Sequence, residues 1–151
     1  MPSPHAAYIE PLPAQNDSKT SDSGVRALMP PLRVLVVDDD PEVLKSTLRA
    51  LSHCSATGVS SAAQAVCLLE SDASFDVILS DYSMPHMSGV ALLNWVQVRW
   101  PALAQRFVLF TGTRAALPRC DAALIIEKPV AALELRMAVA AIGYAARRES
   151  A

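Results

Sequence analysis

Five short apolar runs, separated by segments about one helix long, restrict this chain more than any other feature. Residues 32–37 (Leu-Arg-Val-Leu-Val-Val), 56–59, 75–80, 106–110 and 123–126 each have the length and β-branched or aromatic content of a strand. Between them, apolar residues recur at helical spacing. Asp40-Pro41-Glu42 opens the first helix as an N-cap followed by proline at the first helical position. Val43, Leu44, Thr47, Leu48 and Leu51 carry that helix to about Ser52. A second helix spans 62 to 69 or 70. A third spans 89–100, with Val90, Leu93, Val96 and Trp100 on one side and Pro101 closing it, and a last helix runs from about 130 to 146. Trp95 and Trp100 read most simply as core or rim packing.

Strands alternating with helices predict parallel βαβ units. Five such units fit an α/β, flavodoxin-like, doubly wound parallel sheet in the order 2-1-3-4-5, with helices on both faces. Only residues 112–122 separate the fourth strand from the fifth, and Pro118 lies among them, so the fourth helix is expected to be short or absent. In this order strands 1 and 3 are neighbours at the topological switch point, where ligands bind beyond the carboxyl ends of the strands.

The strand ends share one edge. Asp38 and Asp39 end strand 1, Asp81 ends strand 3, Thr111 ends strand 4 and Lys128 follows strand 5. A lone Asp after a strand is ordinarily a turn residue, but a chance turn does not readily explain three carboxylates, a hydroxyl and an ammonium converging on one crevice. Asp40 is accounted for as a helix cap, which leaves Asp38 and Asp39 without a structural duty. Three carboxylates held close need positive charge between them. Lys128 supplies one charge and a hard divalent ion could supply two; oxygen ligands without His or Cys favour Mg2+. Such a site suits phosphoryl transfer, with Asp81, alone on its strand, as the candidate nucleophile.

The remaining features set boundaries. At 151 residues and 16.1 kDa the chain is expected to hold one domain, 32–147, with a C-terminal tail at 148–151. Six of the eleven prolines fall within residues 1–31, together with a polar run from Gln15 to Ser23, which predicts a disordered Pro/Ser-rich tail or linker. A net charge of −2 offers no basic surplus for a phosphate backbone and argues against nucleic acid as a direct partner. Cys54, Cys67 and Cys120 form neither a Cys-x-x-Cys pair nor an even disulfide set. With no signal-peptide pattern or membrane-length apolar run, a cytoplasmic protein with no membrane association is expected.

Taken together, Val36-Val37-Asp38-Asp39, Asp81-x-x-Met84-Pro85-x-Met87-x-Gly89, Thr111 and Lys128-Pro129 resemble the receiver domain of two-component response regulators. The resemblance implies that Asp81 accepts a phosphoryl group from a histidine kinase or phosphotransfer protein. It also implies that Asp39, Asp81 and the backbone carbonyl of Ser83 ligate Mg2+, with Asp38 holding a metal-bound water. Lys128 would pair with the phosphoryl oxygens, followed by a cis peptide bond, and Thr111 would swing in to hydrogen-bond one of them. Ser83 and Thr113 occupy positions that in the family influence attack by water on the acyl phosphate. Such a domain catalyses only its own phosphorylation and dephosphorylation and is not otherwise an enzyme.

Two familiar parts differ. Ile125 stands where the family often has an aromatic that moves with the threonine, and the shortened crossover resembles receivers of hybrid histidine kinases. With only a few residues after the last helix, signalling by protein contact without a DNA-binding output domain is the expectation; the alternative is the C-terminal receiver of a hybrid kinase. A haloacid-dehalogenase-like phosphohydrolase also uses Asp, Mg2+, Thr and Lys, but its nucleophile lies in Asp-x-Asp after the first strand, and the adjacent Asp38-Asp39 pair and small size argue against it. On the last helix, Val130, Leu133, Met137, Ala141 and Tyr144 form one apolar stripe. Leu135, Val139, Ile142 and Ala146 form a second, which is expected to meet a partner or a second copy.

Overall fold

The computed structural model describes residues 29–112 and 117–151. Five strands, β1 (Arg33–Val37), β2 (Ser55–Val59), β3 (Val77–Asp81), β4 (Phe107–Thr111) and β5 (Leu124–Glu127), form one parallel sheet in the order β2-β1-β3-β4-β5. The register sets Val37 beside Ser80 and Asp81 beside Phe110, so the ends of β1, β3 and β4 lie at one edge. The expected flavodoxin-like order is therefore the observed one.

Both faces of the sheet are covered, which is why β1, β3 and β4 are apolar almost without alternation. Leu35, Val37, Ile78, Phe107 and Leu109 pack with Ala65 and Leu69 of α2 (Ala62–Ser71) and with Leu92, Leu93 and Val96 of α3 (Gly89–Arg99). On the other face Val34, Val36, Val77, Leu79, Val108 and Phe110 meet Leu51, which follows α1 (Pro41–Ala50), and Leu135 and Val139 of the last helix. The helix starts follow from their caps. Asp40 accepts the backbone N–H groups of Glu42 and Val43, Ser61 that of Gln64 and Ser88 that of Ala91.

Most boundaries differ from expectation by one or two residues, and three of the differences have a local cause or bear on the site. The third helix ends at Arg99 because Trp100, preceding a proline, leaves the helical region (φ −136°, ψ 74°); Pro101 then starts a separate turn, α4 (Pro101–Ala104). The strand carrying Asp81 includes that residue, since the Tyr82 N–H donates to the Phe110 carbonyl at 2.8 Å and continues the ladder. The last helix, α5, is Ala132–Glu149. Among the described residues of the crossover between β4 and β5, Gly112 and 117–122, there is no helix; residues 113–116, with Thr113, lie outside the described residues, as do residues 1–28 of the expected N-terminal tail.

The stripes of α5 are corrected. Leu135 and Val139, assigned above to a partner, are buried against the sheet, and Ile142 packs beside them. Gly143 belongs to the same face, where an added Cβ would lie 2.8 Å from Leu32. The exposed side carries Leu133 and Met137, 66% and 64% accessible. Periodicity identified two apolar faces, and only the position of the sheet decides which one is inside.

Arg147, near the end of α5, fixes the far edge of the sheet. Its guanidinium donates to both carboxylate oxygens of Asp76, at 3.0 and 2.7 Å, and to the Pro31 carbonyl at 3.0 Å, while Asp76 also accepts the Arg33 N–H. Burial works against the Asp76 carboxylate, but the Arg147 hydrogen bond, then that of Arg33, holds its pKa below the ordinary value.

Candidate functional site

The carboxyl edge of the sheet gathers the acids. Asp38 directly follows β1 and is buried, Asp81 ends β3 and is 9% accessible, and Asp39 is exposed beside them. One carboxylate oxygen from each lies within 4.8 Å of the others. Lys128, just beyond β5, reaches between two of them: its Nζ donates to Asp38 Oδ2 at 3.0 Å and to Asp81 Oδ1 at 3.2 Å. The Lys128 N–H donates to the Thr111 carbonyl at 2.8 Å, and the Lys128-Pro129 bond is cis. Thr111 ends β4 and is 2% accessible.

Each side chain owes its place to local chemistry. Asp38 Oδ1 accepts the Asp40 N–H at 2.9 Å, so the chain turns directly from strand to helix cap while Oδ2 remains for Lys128. Asp40 is spent on the cap and has no part in the acid cluster. After Asp81, Ser83 is exposed in a loop that returns when the Gly89 N–H donates to the Tyr82 carbonyl at 2.9 Å. Within that loop the Met87 N–H donates to the Pro85 carbonyl across His86, whose φ is 69°. His86 itself is exposed.

Gly89 has a role that its sequence motif does not explain. A Cβ there would overlap the Asp81 carbonyl oxygen and come within 2.7 Å of the Leu109 side chain. The start of α3 thus rests directly on the backbone of the Asp81 strand.

The electrostatics follow from burial. Desolvation raises the Asp81 pKa; Lys128 opposes this, while the nearby Asp38 and Asp39 charges add to it. Desolvation also works against the Lys128 ammonium, but the hydrogen bond to Asp38 and the charge of Asp81 outweigh it and raise its pKa. Three carboxylates face one ammonium, so the cluster keeps an excess of negative charge. An all-oxygen set of this charge and spacing fits a hard divalent cation such as Mg2+.

Residues 34–140 match the family described as the response regulator receiver domain. The chain belongs to that family. Receivers are signalling domains of two-component systems. Two-component response regulator ORR21 of Oryza sativa subsp. indica is 47% identical over 68 residues, covering 43% of this chain and 10% of that protein. Two-component response regulator ARR11 of Arabidopsis thaliana is 46% identical over 68 residues, covering 43% and 13%. The match thus spans about a tenth of the length of these curated relatives.

Solved receiver structures share the fold. The signal receiver domain of an HD domain-containing protein from Pseudomonas fluorescens Pf-5 superposes with a TM-score of 0.71 at 23% identity, covering 82% of this chain and 94% of that one. A CheY-like receiver domain protein from Methanospirillum hungatei JF-1 gives 0.69 at 23% identity, covering 78% and 98%. No helix among the described residues of this receiver is long and apolar enough to cross a membrane.

Of the residues singled out from sequence, Asp38, Asp39, Asp81 and Lys128 are brought together, and Thr111 is joined to Lys128 through the backbone. Ile125, at the position where an aromatic is common, packs partly buried against the core containing Phe107 and Leu109. The direct Asp38–Lys128 pair and the contact of Gly89 with Asp81 were missed. Opposite charges at strand ends along one edge of the sheet signalled the first, although β3 and β4 lie between β1 and β5, and nothing in the sequence beyond a glycine after a loop signalled the second.

Proposed function

We propose that this receiver takes a phosphoryl group onto Asp81 from the phosphohistidine of a histidine kinase or phosphotransfer protein in the cytoplasm, and signals by protein contact. The observation that carries this reading is the Lys128 ammonium lying between Asp38 and Asp81, beside a third carboxylate. In the transfer an Asp81 carboxylate oxygen bonds to phosphorus as the phosphorus–nitrogen bond breaks; the electron pair stays with the departing imidazole, which takes up a proton. Lys128, already within 3.2 Å of that carboxylate, counters the charge on the phosphoryl oxygens. Thr111, ending the adjacent strand, supplies a hydroxyl to one of them.

Asp39, Asp81 and the Ser83 carbonyl would hold Mg2+, with Asp38 acting through a water. The ion would supply positive charge against the repulsion between the carboxylates and the incoming phosphoryl group. Asp38 orients Lys128 as well, so it serves both cations.

Incubation with Mg2+ and acetyl phosphate, followed by intact-mass measurement, tests the assignment. One phosphoryl adduct is expected on the wild-type chain and none on Asp81→Asn; an adduct of equal yield on the variant would overturn it. Beryllofluoride binding that needs no Mg2+ would remove the metal role of Asp39.

A further inference from the structure

Lys128 reaches its two carboxylates by crossing a strand. It follows β5, while Asp81 ends β3 and Asp38 follows β1, so β4 lies beneath its path. The β4 residue at that level is Phe110, whose register partners are Asp81 on one side and Ile126 on the other. Register partners point to the same face of a parallel sheet, so the ring stands on the face that carries the Asp81 carboxylate. Lys128 Nζ lies over that ring, 5.5 Å from its centroid, within the range of a cation–π contact. Phe110 is 4% accessible and is held by the core that contains Val36, Leu79 and Val108.

Packing alone does not require an aromatic here. Leucine or methionine would also fill the space under Lys128, but only a ring offers the ammonium a negative face. Of its three N–H donors the ammonium spends two, on Asp38 and Asp81. The lysine side chain keeps 24% of its surface in water, so solvent competes for it. We propose that Phe110 is a positioning residue for Lys128, its ring face holding the ammonium over β4 within reach of Asp81 and of the phosphoryl group that Asp81 takes. The role at the phosphoryl group rests on the function proposed above; the ring contact does not.

Fluorination withdraws charge from the ring face in graded steps and leaves the shape of the side chain nearly unchanged, so it tests the contact without the cavity that Phe110→Leu would open. Mono-, di- and trifluorinated phenylalanine are placed at position 110 of the full chain, each with Lys128 and with Lys128→Met. Urea unfolding without Mg2+ or phosphodonor is the first measurement. With Lys128 the folding equilibrium constant should fall at each step, by about fivefold in all, and with Lys128→Met the trend should vanish. The second measurement is the rate of acetyl phosphate modification with Mg2+, followed by intact mass, which should fall in the same order and by a similar factor. An unfolding trend that is absent, or equal in the two backgrounds, overturns the contact. A clear unfolding trend with a flat modification rate overturns the positioning role. Absence of any adduct on the wild-type chain overturns the phosphoryl reading and the part of Phe110 in it, and a surviving unfolding trend separates that failure from a failure of the ring contact.

Discussion

His86 holds a backbone conformation that costs most residues free energy. With φ at 69° it sits at the centre of a three-residue turn closed from Met87 to Pro85, in the loop that follows Asp81. A β-branched side chain tolerates this region worst and glycine best. His86→Val should therefore lower unfolding free energy by about 1–2 kcal/mol. His86→Gly should be neutral or raise it by up to about 1 kcal/mol, strain relief being partly offset by greater freedom of the unfolded chain. Urea titration checks both.

Asp76 gives a second residue-scale expectation. Its folded pKa lies below the ordinary carboxylate value, so its stabilising effect is present above the unfolded pKa near 4 and fades as pH falls through the folded value. Asp76→Asn should cost about 1–3 kcal/mol at pH 7, and the gap from wild type should narrow steadily below pH 4. A gap that stays constant from pH 7 to pH 3 would contradict the ionic account.

At the scale of elements, glycine contacts set how closely helices pack. Gly143 brings α5 onto Leu32, which is 2% accessible and hemmed in. Alanine there would gain about 1 kcal/mol of helix propensity, yet its Cβ would press on Leu32. Gly143→Ala should lower the melting temperature despite the better helix former, and adding Leu32→Ala should cost less than the two single effects summed. Gly89→Ala admits no such rescue, because backbone oxygen of Asp81 is in the way; loss of several degrees of melting temperature and of acetyl phosphate reactivity is expected together.

Much of the element layout was legible beforehand, and the exceptions have physical reasons. The strand runs stood out because burial on both faces leaves no polar alternation in β1, β3 and β4. Asp40-Pro41 marked a helix start because both residues satisfy the same end geometry. The inner face of α5 could not be read, since Leu135 and Leu133 differ in nothing but their direction from the sheet. The break at Trp100 was visible as a proline, but whether helix resumed after it depended on Leu103 and Ala104 finding burial in the core. At the site, Asp38, Asp81 and Lys128 were recoverable from strand order because register turns strand ends into neighbours. The closeness of Gly89 to Asp81 depends on a loop path that no residue pattern prescribes.

For the molecule as a whole, the acid edge is a place where charge has been left over. A divalent ion bound there by the folded state and not by the unfolded chain must stabilise the fold. At Mg2+ tenfold above its dissociation constant the gain is about 1.4 kcal/mol. A rise in melting temperature with Mg2+ is expected for wild type and is expected to be smaller in Asp39→Asn; an equal rise in both would remove Asp39 from the ion's ligands.

The opposite edge carries another consequence. Because Arg147 holds the Pro31 carbonyl at 3.0 Å, the first and last backbone segments of the folded unit lie side by side, away from Asp81. A host chain could enter and leave this domain through a single doorway without crossing the acid edge. Joining the two ends with a short linker and opening the chain elsewhere should yield a permuted domain that still takes up phosphate.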